Sequence, residues 1–263
     1  MTQPLVHMIG AGPGDPELIT VKGKKLIEEA DLILYTDSLV NPELFTNVKE
    51  GAVVKKSAGM HLDELVDIMA EAALQGKKVA RVHTGDPSVY GAIFEQMKKL
   101  AERGIDTKII PGVSAAFAAA ASAKLELTVP ELTQTVILTR AEGRTPMPEK
   151  EKLVDLARHQ CSIALFLSAT LIKKVVASFL EAGWTKEDAV VVVYKASWPD
   201  EIVLRTTLGR LQEDMRKHRI TKQAMVIVSK AADEKRLQSG NFESKLYDKT
   251  FTHGYRKGEK VYE

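Results

Sequence analysis

The sequence predicts an α/β protein made of two α/β domains, and three observations predict it. Short apolar runs alternate with amphipathic ones through the first half, the rhythm of strand, helix, strand that builds a mainly parallel sheet. Three of those strand-like runs end in glycine-bearing turns, at "GAGPGD", "HTGDPSVYG" and "IIPGVSAA". A second alternation begins after a stretch rich in proline and threonine. With 263 residues, 44% of them hydrophobic and 27% charged, the chain can bury two modest cores.

Each element of the first half follows from its residues. "LVHMIG" predicts a strand, "TVKGKKLIEEA" a helix, "DLILYTD" a second strand and "AVVKKS" a third. In "LDELVDIMAEAALQGK" the residues Leu65, Ile68, Met69, Ala72 and Ala73 recur at helical spacing, with Asp63 as the expected N-cap and Gly76 as the stop. "KKVARVHTGD" predicts a strand, "YGAIFEQMKKLAERG" a helix ending in glycine, and "IDTKIIPGVS" a strand broken at Pro111 and Gly112.

"KLELTVPELTQTVILTRAEGRTPMPE" carries Pro130, Pro146 and Pro148, with Pro111 on its approach, and is expected to be a boundary. The division falls near Leu125 to Thr135, giving domains 1–125 and 126–263. Beyond it "EKLVDLARH", "TLIKKVVASFLEAG" and "LGRLQEDMRKH" predict helices, and "CSIALFLSA", "DAVVVVYKA", "EIVLRTTL" and "QAMVIVSK" strands. The run Val190 to Val193 has no polar alternation, as expected of a strand covered on both faces.

Composition excludes several classes of function. The 37 basic and 35 acidic residues leave a formal net charge of +2, which does not suggest a nucleic-acid binder. No apolar run reaches the roughly 20 residues of a membrane span, and the N-terminus lacks the layout of a signal peptide, so a cytoplasmic protein is expected. Cys161 is the single cysteine and the six histidines show neither HxxxH nor HxH spacing, so no protein-bound metal is expected.

The glycine turns raise the question of a ligand. Gly10, Gly12 and Gly14 come close to the G-x-G-x-x-G fingerprint of dinucleotide sites, but the third glycine arrives one residue early. Pro13 removes an amide donor, and Asp15 places negative charge where a phosphate would approach, so a pyrophosphate cradle is disfavoured. Two readings remain: a tight strand-to-helix turn, or a turn whose backbone lines a ligand pocket. Convergence favours the pocket, because ligands of open α/β sheets collect outside the carboxyl ends of the strands and all three turns belong to such ends. "PGVSAA" is close to a serine nucleophile elbow, yet Ala116 replaces the closing glycine and no His or Asp partner is identifiable, so small residues for close packing or a flat wall are the better account.

Taken together, "GAGPGDPELIT", "HTGDPSVYGA" and "IPGVSAAFAAAA" resemble the tetrapyrrole methylase family, which transfers methyl groups from S-adenosyl-L-methionine. "LYTDSLVNPEL", "ELTVPELTQTVILTRAEGRTPMPE", "VVVVYKASWPDE" and "SKLYDKTFTHGYRKG" are similar to the branch that methylates carbon 11 of precorrin-4 in vitamin B12 biosynthesis, and the tail and "AGMHLDE" to its cobalt-dependent form. The resemblance implies a fold with an active-site cleft between the two α/β domains, where the methyl donor binds folded on itself. It implies donor contacts from Pro13, from Thr84, Gly85, Asp86 and Val89, and from Ser114 and Ala115. From the second half it implies Leu167, Ala196 and Ala224. Most of these side chains are short, which suits recognition by main-chain groups; Asp86 has an alternative role as a turn or cap residue.

The implied substrate is a small-molecule tetrapyrrole, broad, apolar and rich in carboxylates. Arg140 and Arg144 are candidates for those carboxylates because a guanidinium can bind them bidentately. Tyr35, Asp37 and Ser38 are candidates for positioning the ring, Asp37 also for receiving the proton lost, and Met60 and His61 for lining the trough. The basic tail around Arg256, Lys257 and Lys260 reads as a solvated terminus or a neighbour of substrate or subunit. Because the methyl group is already activated, alignment, worth roughly 7 to 11 kcal/mol, outweighs general-base help of about 3 to 5 kcal/mol, and no obligatory base is assigned. The family habit implies a homodimer. Alternatives are another member of the family, such as one acting on carbon 20 of precorrin-2 or one forming diphthine, a nicotinamide dehydrogenase, and a silent carrier that binds the pigment without turnover.

Overall fold

The computed structural model describes residues 3–36, 39–240 and 242–259. The chain forms two compact units, Met1–Ala119 with Lys195–Glu201, and Ala120–Tyr194 with Ile202–Glu263. Among the described residues no helix is long and apolar enough to cross a membrane.

The first unit holds strands β1 (Leu5–Gly10), β2 (Leu32–Tyr35), β3 (Val53–Lys56), β4 (Val79–His83) and β5 (Asp106–Ile110). They lie in the order β3-β2-β4-β1-β5 and every pairing is parallel. Helices α1 (Val21–Glu28), α2 (Leu62–Leu74) and α3 (Ile93–Ala101) make the crossovers that parallel strands require. Alternate residues serve opposite faces. Val6, Met8, Leu34 and Val79 pack with Val66 and Met69 of α2 and Leu100 of α3, while Ile9, Ile33, Ala80 and Val82 pack with Ile27 of α1. A fifth-strand exit leads into α4 (Ala115–Ser122), and the division between the units falls within that helix.

In the second unit β6 (Val136–Arg140) pairs in parallel with β7 (Ser162–Phe166). Strands β8 (Ala189–Tyr194), β9 (Ile202–Thr207) and β10 (Ala224–Val228) complete a mixed sheet of order β6-β7-β10-β8-β9, in which the last three pairings are antiparallel. Helices α5 (Leu153–Ala157), α6 (Ile172–Glu181) and α7 (Leu211–Lys217) cover it, and α8 (Glu234–Ser239) follows. Phe179, Val175 and Ile172 of α6 pack with Leu165, Val192 and Val226. Trp184 meets Phe179 edge-on at 5.4 Å and donates its indole N–H to the Ala157 carbonyl at 2.8 Å, so its polar handle is satisfied inside the core.

One local expectation, the N-cap of α2, needs correction, and the sequence does not announce two of the elements. The stretch taken as a boundary contains β6, a half-buried strand hidden by its proline-rich flanks. The alanine run after Ser114 is the helix α4; being apolar all round, it has no face for periodicity to find. His61, not Asp63, occupies the N-cap of α2, and Asp63 sits in the first turn, where its charge suits the helix dipole. Gly76 does close the helix, with φ of +77°.

Candidate functional site

The three glycine turns leave the carboxyl ends of β1, β4 and β5, which are neighbours in the sheet. Main-chain bonds lace two of them together. Ala11 N–H donates to the His83 carbonyl at 2.8 Å, and Gly12 and Gly85 exchange bonds of 3.2 and 2.8 Å. The third joins by contact: a Cβ on Gly112 would stand 2.2 Å from the Gly85 carbonyl oxygen, and one on Gly10 would stand 2.6 Å from the same atom. Only glycine permits this approach of backbone to backbone.

Asp86 fastens the arrangement. One carboxylate oxygen accepts from the Ser88 amide at 2.8 Å and from the Ser88 hydroxyl, and the other accepts from the Gly112 amide at 2.9 Å. Partial burial pulls its pKa upward, but the bonds from Ser88 and Gly112 outweigh that and hold the carboxyl below its usual range. Asp86 is thus a charged staple between the second and third turns. Ser114 caps α4: its carbonyl accepts from Phe117 and Ala118 and its hydroxyl from Ala116 at 3.4 Å. Thr84 lies within 3.4 Å of the Thr36 hydroxyl. Gly85 and Ser114 are buried, and Thr84, Val89 and Ala115 half-buried.

Residues 195–201 belong to this unit and close the first turn. Trp198 donates its indole N–H to the Pro13 carbonyl at 3.0 Å, and the Ser197 hydroxyl accepts from the Asp15 amide at 2.9 Å. A Cβ on Gly14 would lie 2.1 Å from the Trp198 nitrogen, so that glycine is a notch for an indole rather than the third glycine of a phosphate loop. Sequence reasoning missed Ser197 and Trp198, which sit more than 180 positions away from their partners; the available signal was that Trp198 is one of only two tryptophans and directly follows "YKAS". Ala196 is buried between Lys195 and Ser197, both held at positive φ (+47° and +69°).

In the second unit, register places the remaining donor candidates at one end of the sheet. Arg140 pairs with Phe166, Val226 with Leu165 and Ala224 with Tyr194, so the exits of β6, β7 and β8 and the entry to β10 share an end. Leu167 stands there 71% exposed with φ of +51°, and Gln223, beside Ala224, has φ of +55°. An exposed leucine held in the left-handed region costs about 1 to 2 kcal/mol.

Other candidates are dispersed. Tyr35, at the end of β2, is 7% exposed, and its ring centroid lies 4.7 Å from that of Phe45. The Arg140 guanidinium donates to the carbonyls of Thr145 at 3.2 Å and Pro146 at 2.9 Å, so part of its donor set serves the following loop. Arg144 is exposed in that loop. Met60 packs partly against the α2 face of the first core, and His61 is exposed at the start of α2. Asp37, Ser38 and Lys260 lie outside the described residues.

Two buried groups accompany the turns. Arg81 bonds Gln96, Ser57 and the Leu34 carbonyl, and burial lowers its pKa to about 10, so it stays charged. His83 is 2% exposed; burial first, then the Arg81 charge, lower its pKa to about 3 against a backbone bond at Gly91. It is neutral at pH 7 and supplies no acid.

A family model described as Tetrapyrrole (Corrin/Porphyrin) Methylases matches residues 5–212. A cobalt-precorrin-4 C(11)-methyltransferase of Priestia megaterium is 60% identical over 255 residues, 97% of this chain and 98% of that protein. The X-ray structure of a cobalamin biosynthetic enzyme, cobalt precorrin-4 methyltransferase, superposes with a TM-score of 0.85 at 59% identity, covering 87% of this chain and 96% of the other. A uroporphyrin-III C-methyl transferase from Thermus thermophilus, solved in complex with S-adenyl homocysteine, superposes with a TM-score of 0.72 at 25% identity, covering 86% and 97%.

Proposed function

The chain belongs to the tetrapyrrole methylase family, and from that premise we propose that it is an S-adenosyl-L-methionine-dependent methyltransferase that methylates carbon 11 of cobalt-precorrin-4 to give cobalt-precorrin-5A in cobalamin biosynthesis. The observation that carries this reading is likeness to a carbon-11 enzyme over nearly the whole length of both chains, well past the shared family region.

The residues present fit the donor. Around the candidate positions the chain offers short side chains and held main-chain groups: Pro13, Thr84, Gly85, Val89, Ser114, Ala115 and Ala196 in the first unit, Leu167 and Ala224 in the second. Non-glycine residues at positive φ, namely Leu167, Lys195, Ser197 and Gln223, stand at or beside three of them. The donor supplies a methyl group activated by positive sulfur. The chain supplies position. Asp86 locks the turns carrying Gly85 and Ser114, and Trp198 locks the turn carrying Pro13, so little reorganisation remains to be done when ligands bind. Arg144 offers five donors to a substrate carboxylate, while Met60 and His61 offer apolar and polar surface at the exit of β3.

The reading includes a cytoplasmic homodimer with no resident metal; any cobalt belongs to the substrate. Self-association is supported by Ile109 on the edge strand β5, with Phe94 of α3 and Phe117 of α4 remaining 73% and 54% exposed. Incubation with methyl-labelled S-adenosyl-L-methionine and cobalt-precorrin-4, followed by NMR mapping of the label, tests the function. Label at carbon 11 is expected, and label at any other carbon rejects it.

A further inference from the structure

The loop 141–148, between β6 and the helix α5, is tied down at every side except one. Its first amide, at Ala141, donates to the Ser168 hydroxyl at 2.8 Å, and that hydroxyl donates to the Phe166 carbonyl at 2.6 Å, binding the loop to the exit of β7. The Arg140 guanidinium reaches across to the carbonyls of Thr145 and Pro146. Glu142 accepts from the Met147 amide at 3.1 Å with one carboxylate oxygen and from Lys174 of α6 at 3.0 Å with the other, and Lys174 also donates to the Glu142 carbonyl at 2.9 Å. A loop of eight residues therefore carries anchors at its start, middle and end.

The one charged side chain of the loop left over is Arg144. It is exposed and has no hydrogen bond or ion pair among the described residues. The lone carboxylate of the loop is Glu142, two positions away, and Lys174 neutralises it. Without Lys174 that carboxylate would be free to compete for Arg144 and to repel an incoming acid. The loop leaves the same sheet end that carries Leu167 and Ala224. Ordering a guanidinium's surroundings in advance lowers the entropy lost when it binds a carboxylate.

We propose that Arg140, Glu142 and Lys174 form a brace that preorganises loop 141–148 as a carboxylate clamp for the acidic side chains of the tetrapyrrole, with Arg144 making the contact and Lys174 acting as a positioning residue. The proposal rests on the methyltransferase reading above and adds residues to it. Lys174 touches no reacting atom. Its influence passes through Glu142 to the loop, so it acts on substrate affinity and leaves the donor's affinity alone.

Five proteins decide the matter: the unaltered chain, Arg144→Ala, Lys174→Met, the double variant, and Lys174→Arg as the conservative rescue. Steady-state kinetics with the tetrapyrrole gives KM and kcat, calorimetry gives the affinity for S-adenosylhomocysteine, and brief trypsin digestion reads how exposed the bond after Arg144 becomes. Arg144→Ala is expected to raise KM for the tetrapyrrole about tenfold with kcat nearly unchanged. Lys174→Met is expected to raise it by roughly threefold to tenfold, to add nothing in the Arg144→Ala background, and to speed cleavage after Arg144; Lys174→Arg restores both. The nucleoside affinity stays constant throughout.

If Arg144→Ala raises KM but Lys174→Met changes neither KM nor cleavage, the brace is overturned. If Arg144→Ala leaves KM unaltered in an enzyme that methylates carbon 11, the clamp is overturned and the activity stands. Failure of the unaltered protein to label carbon 11 is failure of the underlying reading, seen before any variant is made, and the trypsin comparison still decides whether Lys174 holds the loop.

Discussion

Acidification from about pH 8 to about pH 5 should cost roughly 2 kcal/mol of stability through His83 alone. In the unfolded chain this imidazole takes up a proton near its ordinary value of 6.5, whereas in the folded protein burial and the Arg81 charge delay uptake to about pH 3. Between those two values the unfolded state binds the extra proton. Stability is therefore complete above the unfolded value and falls as the pH drops toward the folded one. A pH about 1.5 units below the unfolded value corresponds to about 2 kcal/mol at 1.36 kcal/mol per unit. Denaturant unfolding of the unaltered chain and of His83→Gln at a series of pH values isolates this contribution, because His7, also lowered by burial and then by Lys108, contributes equally to both proteins. The stability difference between the two should narrow by roughly 2 kcal/mol on going to about pH 5. Curves that run parallel across that range would refute a buried, neutral His83.

Further consequences can be measured directly. Gly112→Ala drives a methyl group against the Gly85 carbonyl at 2.2 Å, so a loss of more than about 2 kcal/mol in thermal stability is expected, with weaker S-adenosylhomocysteine binding by calorimetry. Trp198→Phe keeps the ring but removes the bond to Pro13, and should cost about 1 kcal/mol in denaturant unfolding while lowering nucleoside affinity. Leu167→Gly relieves a positive φ at an exposed position; stability should hold or rise by up to about 1 kcal/mol while the affinity for S-adenosylhomocysteine falls, and an unchanged affinity would remove Leu167 from the site.

Much of this was legible in the chain because the governing patterns are local. "KKVARVHTGD" reads as a strand and Val190 to Val193 as one covered on both faces, and the glycines at 10, 85 and 112 mark close turns after strands. What escaped depended on how the folded chain brings side chains to their partners, near or far in sequence. Nothing next to Tyr35 announces that its ring lies beneath Phe45 in the core. Arg140 has the right chemistry for a carboxylate, but its donors fall on carbonyls five and six residues ahead, a geometry that only the folded loop reveals. The turn at Gly14 was read against phosphate chemistry, when the constraint on it is an indole from residue 198. Strand β6 was obscured by the prolines around it, since a short, half-exposed strand carries little apolar signal.

The position of residues 195–201 bears on how this protein could be divided. The segment is encoded between two paired strands of the second unit yet folds with the first. A gene fragment stopping at Ala119 would keep all three glycine turns and lack the indole that fits Gly14, leaving the Pro13 carbonyl without its donor and a hollow beside it. Splitting the gene at that point would therefore yield an unfinished half, and a bisected or permuted version must carry the Trp198 segment across with the amino-terminal piece.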